Sequence, residues 1–260
     1  MSSTNHTIFK RSINSLEDWY EKAPPINKDK QWKKGRSAYE LAKAWFPRKG
    51  ECICPAELAN MFEKSGIFNE LSLLECEPEV NISFDEYSGP RRSDLILTAH
   101  CNKGIISVSI EAKADESFGK TVKKTLESAR SITHSKISVR LDLLSKALFS
   151  NCVAETIMEL RYQLIYALGA ALSLADMSKA VASVFIIHEF HSAQTERKKL
   201  ERNAADMDKF IAAISSNKII RWLPDNLYGP FYMPGNTNIP SKMPCYLGRI
   251  ISKHSDLEDQ

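Results

Sequence analysis

The stretch Asp94–Lys113, DLILTAHCNKGIISVSIEAK, decides the architecture. Two runs rich in aliphatic and β-branched residues, 94–101 and 105–113, flank Asn102-Lys103-Gly104. Short apolar runs joined by so brief a glycine-bearing turn predict an antiparallel β-hairpin. Successive side chains along a strand point to opposite faces. Ile106, Val108, Ile110 and Ala112 therefore share one face, and Ser107, Ser109, Glu111 and Lys113 the other. The first face is core; the second ends in a carboxylate and an ammonium. A two-residue loop at 102–103 places Asp94 opposite Glu111, and one at 103–104 places it opposite Lys113. Either keeps Asp94 on the polar face. A three-residue loop turns it to the wrong face unless a bulge restores the phase.

Around the hairpin the pattern alternates between helix and strand. Ser37-Ala-Tyr-Glu40 has the spacing of a capping box and starts a helix over 37–46, which Pro47 stops. A second helix is expected over 55–64, ended near Gly66, and a strand over 79–84. After the hairpin come helices over 116–131, 138–149 and 154–176. The last turns apolar all round in its second half, which predicts burial against the sheet. A buried strand is expected over 180–190 and an amphipathic helix over 195–215. Residues 1–30, with Pro24-Pro25, read as a loosely ordered arm, 31–252 as a single α/β domain, and 253–260 as a C-terminal tail.

The chain has 260 residues, 43% hydrophobic and 26% charged, enough for one large core. No apolar run approaches the roughly 20 residues of a membrane span, and the polar start is no secretion signal. Six cysteines without periodic spacing suggest reduced thiols, so a cytoplasmic protein is expected. The net charge is only +3, but its distribution is uneven. Lysines and arginines crowd residues 28–49 and again 120–146, on either side of the acids of the hairpin. Such tracts suit a polyanion, and they suit solvated helix faces equally well.

Two carboxylates held side by side repel, and a divalent cation removes the conflict. Mg²⁺ on Asp94, Glu111 and the Ala112 carbonyl, with Lys113 beside the attacking water, is a coherent phosphodiesterase site. Ser93-Asp94, sixteen residues, then Glu111-Ala-Lys113 on the next strand resembles the core motif of the PD-(D/E)XK nuclease superfamily, with Ser93 in place of the motif's proline. The resemblance covers roughly residues 37–190. It implies a restriction-endonuclease-like mixed central sheet flanked by helices, the hairpin carrying the site. It further implies metal-dependent cleavage of DNA, or less often RNA, with Asp94 and Glu111 as metal ligands and Lys113 as catalytic lysine. Glu40 matches the acid that many members carry on an early helix, although its capping role explains it equally well. Gln163 and Tyr166 are similar to a Gln/Tyr motif of one branch, at the shorter spacing QxxY. Glu116 is a further candidate acid, whose ordinary reading is a helix start. Lys120, Lys123 and Lys124 are expected to hold substrate phosphates. Cutting both strands of a duplex would favour a homodimer, and a role in bacterial defence goes with the family by association.

Other readings compete. A catalytically silent domain of the same fold, binding nucleic acid or protein, is the main alternative. Ala114–Thr121, ADESFGKT, fits a relaxed phosphate-loop pattern for a nucleotide hydrolase. Asp115 and Glu116 would put negative charge into the phosphate cradle, however, and the stretch follows a hairpin arm rather than a parallel strand. His188-Glu189-Phe190-His191 lacks the four-residue histidine spacing of a helical zinc motif, so a capping or surface role is expected. Cys52 and Cys54 lack a second ligand pair and read as buried thiols. Trp222, Tyr228, Phe231 and Tyr232 suit packing over the sheet edge better than base stacking.

Overall fold

Two strands, β3 (Arg91–Cys101) and β4 (Gly104–Lys113), form the hairpin, with Cys101 paired to Gly104 across the turn Asn102-Lys103. Gly104 has φ +123°, a conformation that side chains rarely adopt. The structure, a computed structural model, describes residues 8–87, 89–192 and 195–253. Before the hairpin lie β1 (Ile8–Phe9), α1 (Leu16–Lys22), α2 (Ser37–Trp45), α3 (Ala56–Ser65) and β2 (Ser72–Ile82). After it come α4 (Val122–Ala129), α5 (Ile137–Leu148), α6 (Ala154–Glu159), α7 (Tyr162–Met177), β5 (Ala182–His191), α8 (Arg197–Ile214), β6 (Asn226–Phe231) and β7 (Cys245–Lys253).

The strands make one mixed sheet in the order β1-β2-β3-β4-β5-β7-β6. β2, β3 and β4 form an antiparallel meander, and the helical crossover α4–α7 returns the chain to β5, parallel to β4. A parallel neighbour cannot be reached by a tight turn, so a long connection is required there. β7 lies parallel to β5, and β6 closes that edge antiparallel to β7. Helices cover both faces. α1, α2 and α3 pack on the side of Ile106, Val108, Ile110 and Ala112. α5, α7 and α8 fill the other side with Leu144, Leu164, Leu168, Phe210 and Phe185. The α/β architecture with a helix-flanked mixed sheet is therefore as expected, and among the described residues no helix is long and apolar enough to cross a membrane.

Several boundaries differ from expectation, each for a physical reason. The expected loose arm contributes Phe9, Ile13, Trp19 and Ala23 to the core, where Phe9 packs against Trp19, Trp45 and Phe46. The single helix over 154–176 is two helices. Residues 160–162 pair instead with 120–122: Val122 N–H donates to the Leu160 carbonyl, Tyr162 N–H to the Lys120 carbonyl, and Thr121 bridges Arg161. The helix over 116–131 begins only at Val122, where the Thr121 hydroxyl accepts from Lys124 N–H. Apart from Lys253 in β7, the expected tail 253–260 lies outside the described residues, as do 1–7 of the arm.

Candidate active site

Leu95 pairs with Ile110, so the next step of the register sets Asp94 across from Glu111. Of the registers open in the sequence, the structure takes the 102–103 loop. Strand alternation does the rest: Asp94, Glu111 and Lys113 leave the sheet on one face, and α7 lies over it. That face is not solvent. Glu111 is 2% and Lys113 5% exposed, while Asp94 keeps a partly accessible edge.

The three groups are interlocked. Asp94 Oδ2 accepts from the Ala112 amide at 2.7 Å. Lys113 Nζ donates to Glu111 Oε1 at 2.5 Å and to the Ala112 carbonyl at 3.0 Å, above the Phe118 ring. Glu111 Oε2 accepts from Arg91 Nη2, and Glu111 Oε1 also accepts from Gln163 Nε2. Burial and the Glu111 charge push the Asp94 carboxyl up to about 6, against the pull of Lys113, Arg91 and the Ala112 amide. Burial also opposes ionisation of Glu111, but Arg91 and Lys113 outweigh it and hold that carboxyl below its ordinary value. Of two facing acids, one is held ionised and the other bears the repulsion.

Two residues that sequence reasoning missed belong to this cluster. Arg91 stands three positions before Asp94, at the strand's entry. Glu79 on β2 has φ +54° and is buried; burial and the Asp94 charge push it up to about 8, although Arg92 pairs with it. The available signal was Arg91-Arg92 just ahead of Ser93-Asp94. Nothing in a single strand's alternation says that an adjacent strand will bring a third carboxylate.

The auxiliary candidates divide. Gln163 reaches Glu111, because the break at Leu160 starts α7 afresh and leaves Gln163 in its first turn. Tyr166 instead anchors the β2–β3 loop, donating to the Gly89 carbonyl at 2.6 Å. Glu116 does not start a helix. Its Oε1 accepts from Ser37 N–H at 3.3 Å and its Oε2 from Ala114 N–H at 3.1 Å, so it caps α2 from a distant loop. The capping box is correspondingly altered: Arg36 is the N-cap, and Glu40, buried on α2, accepts from Gly35 N–H at 2.6 Å. Lys120, Lys123 and Lys124 are exposed around the start of α4, Lys120 bonding Ser128 Oγ at 2.7 Å.

The competing motifs are held by other partners. In ADESFGKT, Asp115 pairs with Lys199 at 2.8 Å, Phe118 is fully buried, and the Gly119 carbonyl accepts from Arg161. His188 is not at the surface; it is buried, with Nε2 2.9 Å from Ser252 Oγ. Cys52 and Cys54 are only half-buried, and among the described residues every cysteine is a free thiol. Trp222 is fully buried, whereas Tyr232 is exposed.

A family model matches residues 12–253, from before α1 to the end of β7. The chain belongs to DUF6946, a domain of unknown function. Every residue of the Asp94–Glu111–Lys113 cluster lies within the DUF6946 match, and so does the helix-flanked sheet that carries it. No curated protein and no solved structure matches this DUF6946 chain.

The donor set can be tested against a hard divalent ion. Among the described residues no group of three or more His, Cys, Asp or Glu side chains is arranged to hold a metal. Mg²⁺ needs less from the protein, usually one or two carboxylates, and keeps several waters. Asp94 and Glu111 supply two oxygen donors of the kind Mg²⁺ takes, while Glu111 Oε1 and the Ala112 carbonyl already accept from Lys113 Nζ.

Proposed function

We propose that this protein is a metal-dependent nuclease that hydrolyses phosphodiester bonds, of DNA in the first place, in the manner of the PD-(D/E)XK superfamily. The observation that carries the reading is the convergence of Asp94, Glu111 and Lys113 from two adjacent strands, with the Asp94 carboxyl raised by burial and by its charged neighbour. The antiparallel meander followed by a helical crossover to a parallel strand supports the restriction-endonuclease-like form of the fold.

Asp94, Glu111 and the Ala112 carbonyl would hold Mg²⁺ or Mn²⁺. When bound, the ion polarises a phosphoryl oxygen and acidifies a water. The protein's own groups do the rest. Lys113, fixed over Phe118, orients the attacking water or steadies charge developing on the phosphate. Gln163 fixes the Glu111 carboxylate from behind. Lys120, Lys123 and Lys124 add an exposed, salt-sensitive attraction for the substrate backbone.

One observation favours a second reading. Glu111 already takes hydrogen bonds from Arg91, Lys113 and Gln163, as a purely structural buried acid would. A catalytically silent domain that binds nucleic acid or a protein fits that closure. Incubation with labelled DNA and RNA plus Mg²⁺, Mn²⁺ or EDTA separates the two. Wild type should cut only with metal; Asp94→Ala, which removes a metal ligand, should abolish cutting, and Lys113→Ala should lower the rate by about 10²–10³-fold, as loss of one charge-stabilising donor does. Cutting that survives both substitutions removes the assignment; binding without cutting installs the silent domain.

A further inference from the structure

We infer that Arg91 is a built-in counter-ion that makes metal binding depend on substrate, and that it passes to the substrate phosphate when the site is loaded. The inference rests on the nuclease reading and adds the order in which the site fills. Its starting point is charge balance. Around the cluster, Glu79, Asp94 and Glu111 face Arg91, Arg92 and Lys113, three carboxyls against three cations, so the protein alone supplies no surplus negative charge. Adding a divalent cation to this enclosed region leaves at least two uncompensated positive charges, which a poorly hydrated site resists. Phosphate oxygens arriving with the ion would cancel them.

Arg91 is the cation placed to yield. Lys113 has two acceptors and a ring beneath it, and Arg92 holds both Glu79 and the Pro24 carbonyl. Among the described residues Arg91 bonds Glu111 through Nη2 alone, and its buried Nε has no hydrogen-bond partner. The backbone beneath it is fixed, so the guanidinium can swing while its root stays put. Tyr166 holds the Gly89 carbonyl, and Arg140 grips Asp85 and the Tyr87 carbonyl. A planar guanidinium suits both a carboxylate and a phosphate.

The test is Mn²⁺ affinity of the full chain, read from free Mn²⁺ by electron paramagnetic resonance, with and without a DNA whose phosphorothioate linkages resist hydrolysis. Wild type should bind Mn²⁺ weakly alone and about tenfold more tightly with DNA, a coupling of ordinary size that linkage makes reciprocal. Arg91→Ala should bind Mn²⁺ alone roughly tenfold more tightly than wild type and lose most of the DNA effect. Arg91→Gln, which keeps a donor for Glu111 but not the charge, should behave likewise if the alanine variant unfolds. Arg91→Lys should stay near wild type. Unchanged Mn²⁺ affinity in folded Arg91→Ala or Arg91→Gln overturns the role of Arg91 and leaves the nuclease site standing. Absence of Mn²⁺ binding in every protein, with DNA and without, overturns both.

Discussion

Asp94 and Glu111 differ because the neighbouring cations are not shared equally between them: Arg91 and Lys113 both bond Glu111, while Asp94 receives the Ala112 amide. This has a sign in the stability of the metal-free protein. Asp94 is raised from 3.8 to about 6 and Glu79 from 4.5 to about 8, so each takes up a proton more readily folded than unfolded. Their contribution is complete below the unfolded values and is lost as pH climbs through the folded ones. Glu111, lowered, contributes above its unfolded value and loses that contribution as pH falls. Without metal, Tm should therefore decline between about pH 5 and pH 8. Asp94→Asn should flatten the decline and raise Tm at pH 8 by several degrees. A tenfold change in proton affinity is worth roughly 1.4 kcal/mol, and each kcal/mol moves Tm by about 2–4 °C in a chain of this size. The same substitution should abolish cleavage. A pH profile of Tm identical to wild type would show that Asp94 is not the strained acid. Gln163→Ala tests the support of Glu111: cleavage should fall by about 10–100-fold, with a far smaller change in Tm. The shared face of Glu111 and Lys113 was readable from strand alternation, whereas the place of Asp94 on it followed only once the turn fixed the register. Glu79 and Arg91 were not readable, because their relation to Asp94 depends on how β2 and the strand's entry bend.

The elements carry the site through a few specific junctions. The β2–β3 loop that delivers Arg91 is held by Arg140 of α5, whose Nε and Nη2 meet Asp85 Oδ2 and Oδ1 at 2.7 and 2.8 Å. Tyr87 and Tyr166 flank that guanidinium, 5.8 and 4.9 Å from their ring centres. Removing one partner of a buried ion pair strands the other, at a cost of about 3–5 kcal/mol. Arg140→Ala should accordingly destabilise the fold by that amount in urea titration and accelerate amide exchange in residues 85–91. If exchange there is unchanged, the loop is held by something else. The hairpin and the apolar second half of α7 were legible, since each follows from a local period or a short turn; α2 starts at Ser37 as expected, but its cap comes from Glu116 rather than from a local capping box. The break between α6 and α7 was not legible. Its backbone groups bond to residues 120–122, forty positions away, and no local propensity encodes that exchange.

At the scale of the whole molecule, two cores lie on either side of one sheet, and the segment before α2 belongs to the one shared with α2 and α3. Trp19, 1% exposed, is wedged with Phe9 against Phe46, and Arg92 bonds the Pro24 carbonyl. Trp19→Ala should cost about 3–5 kcal/mol, and deletion of residues 1–24 should give a chain without a cooperative thermal transition by circular dichroism. A cooperative transition in the deletion variant would return this segment to the status of an arm. Its burial was hidden in the sequence because Phe9, Ile13, Trp19 and Ala23 follow no single period and sit among polar residues and Pro24-Pro25. What the sequence by itself determined is the hairpin and the face its acids share, since the two-residue period of a strand is a property of the backbone. Only the tertiary structure decided that this face is covered, that Arg91 and Glu79 join it, and that Glu116 serves α2 instead. Those outcomes depend on which distant segments pack together, and burial sets their electrostatics only after the chain has closed around them.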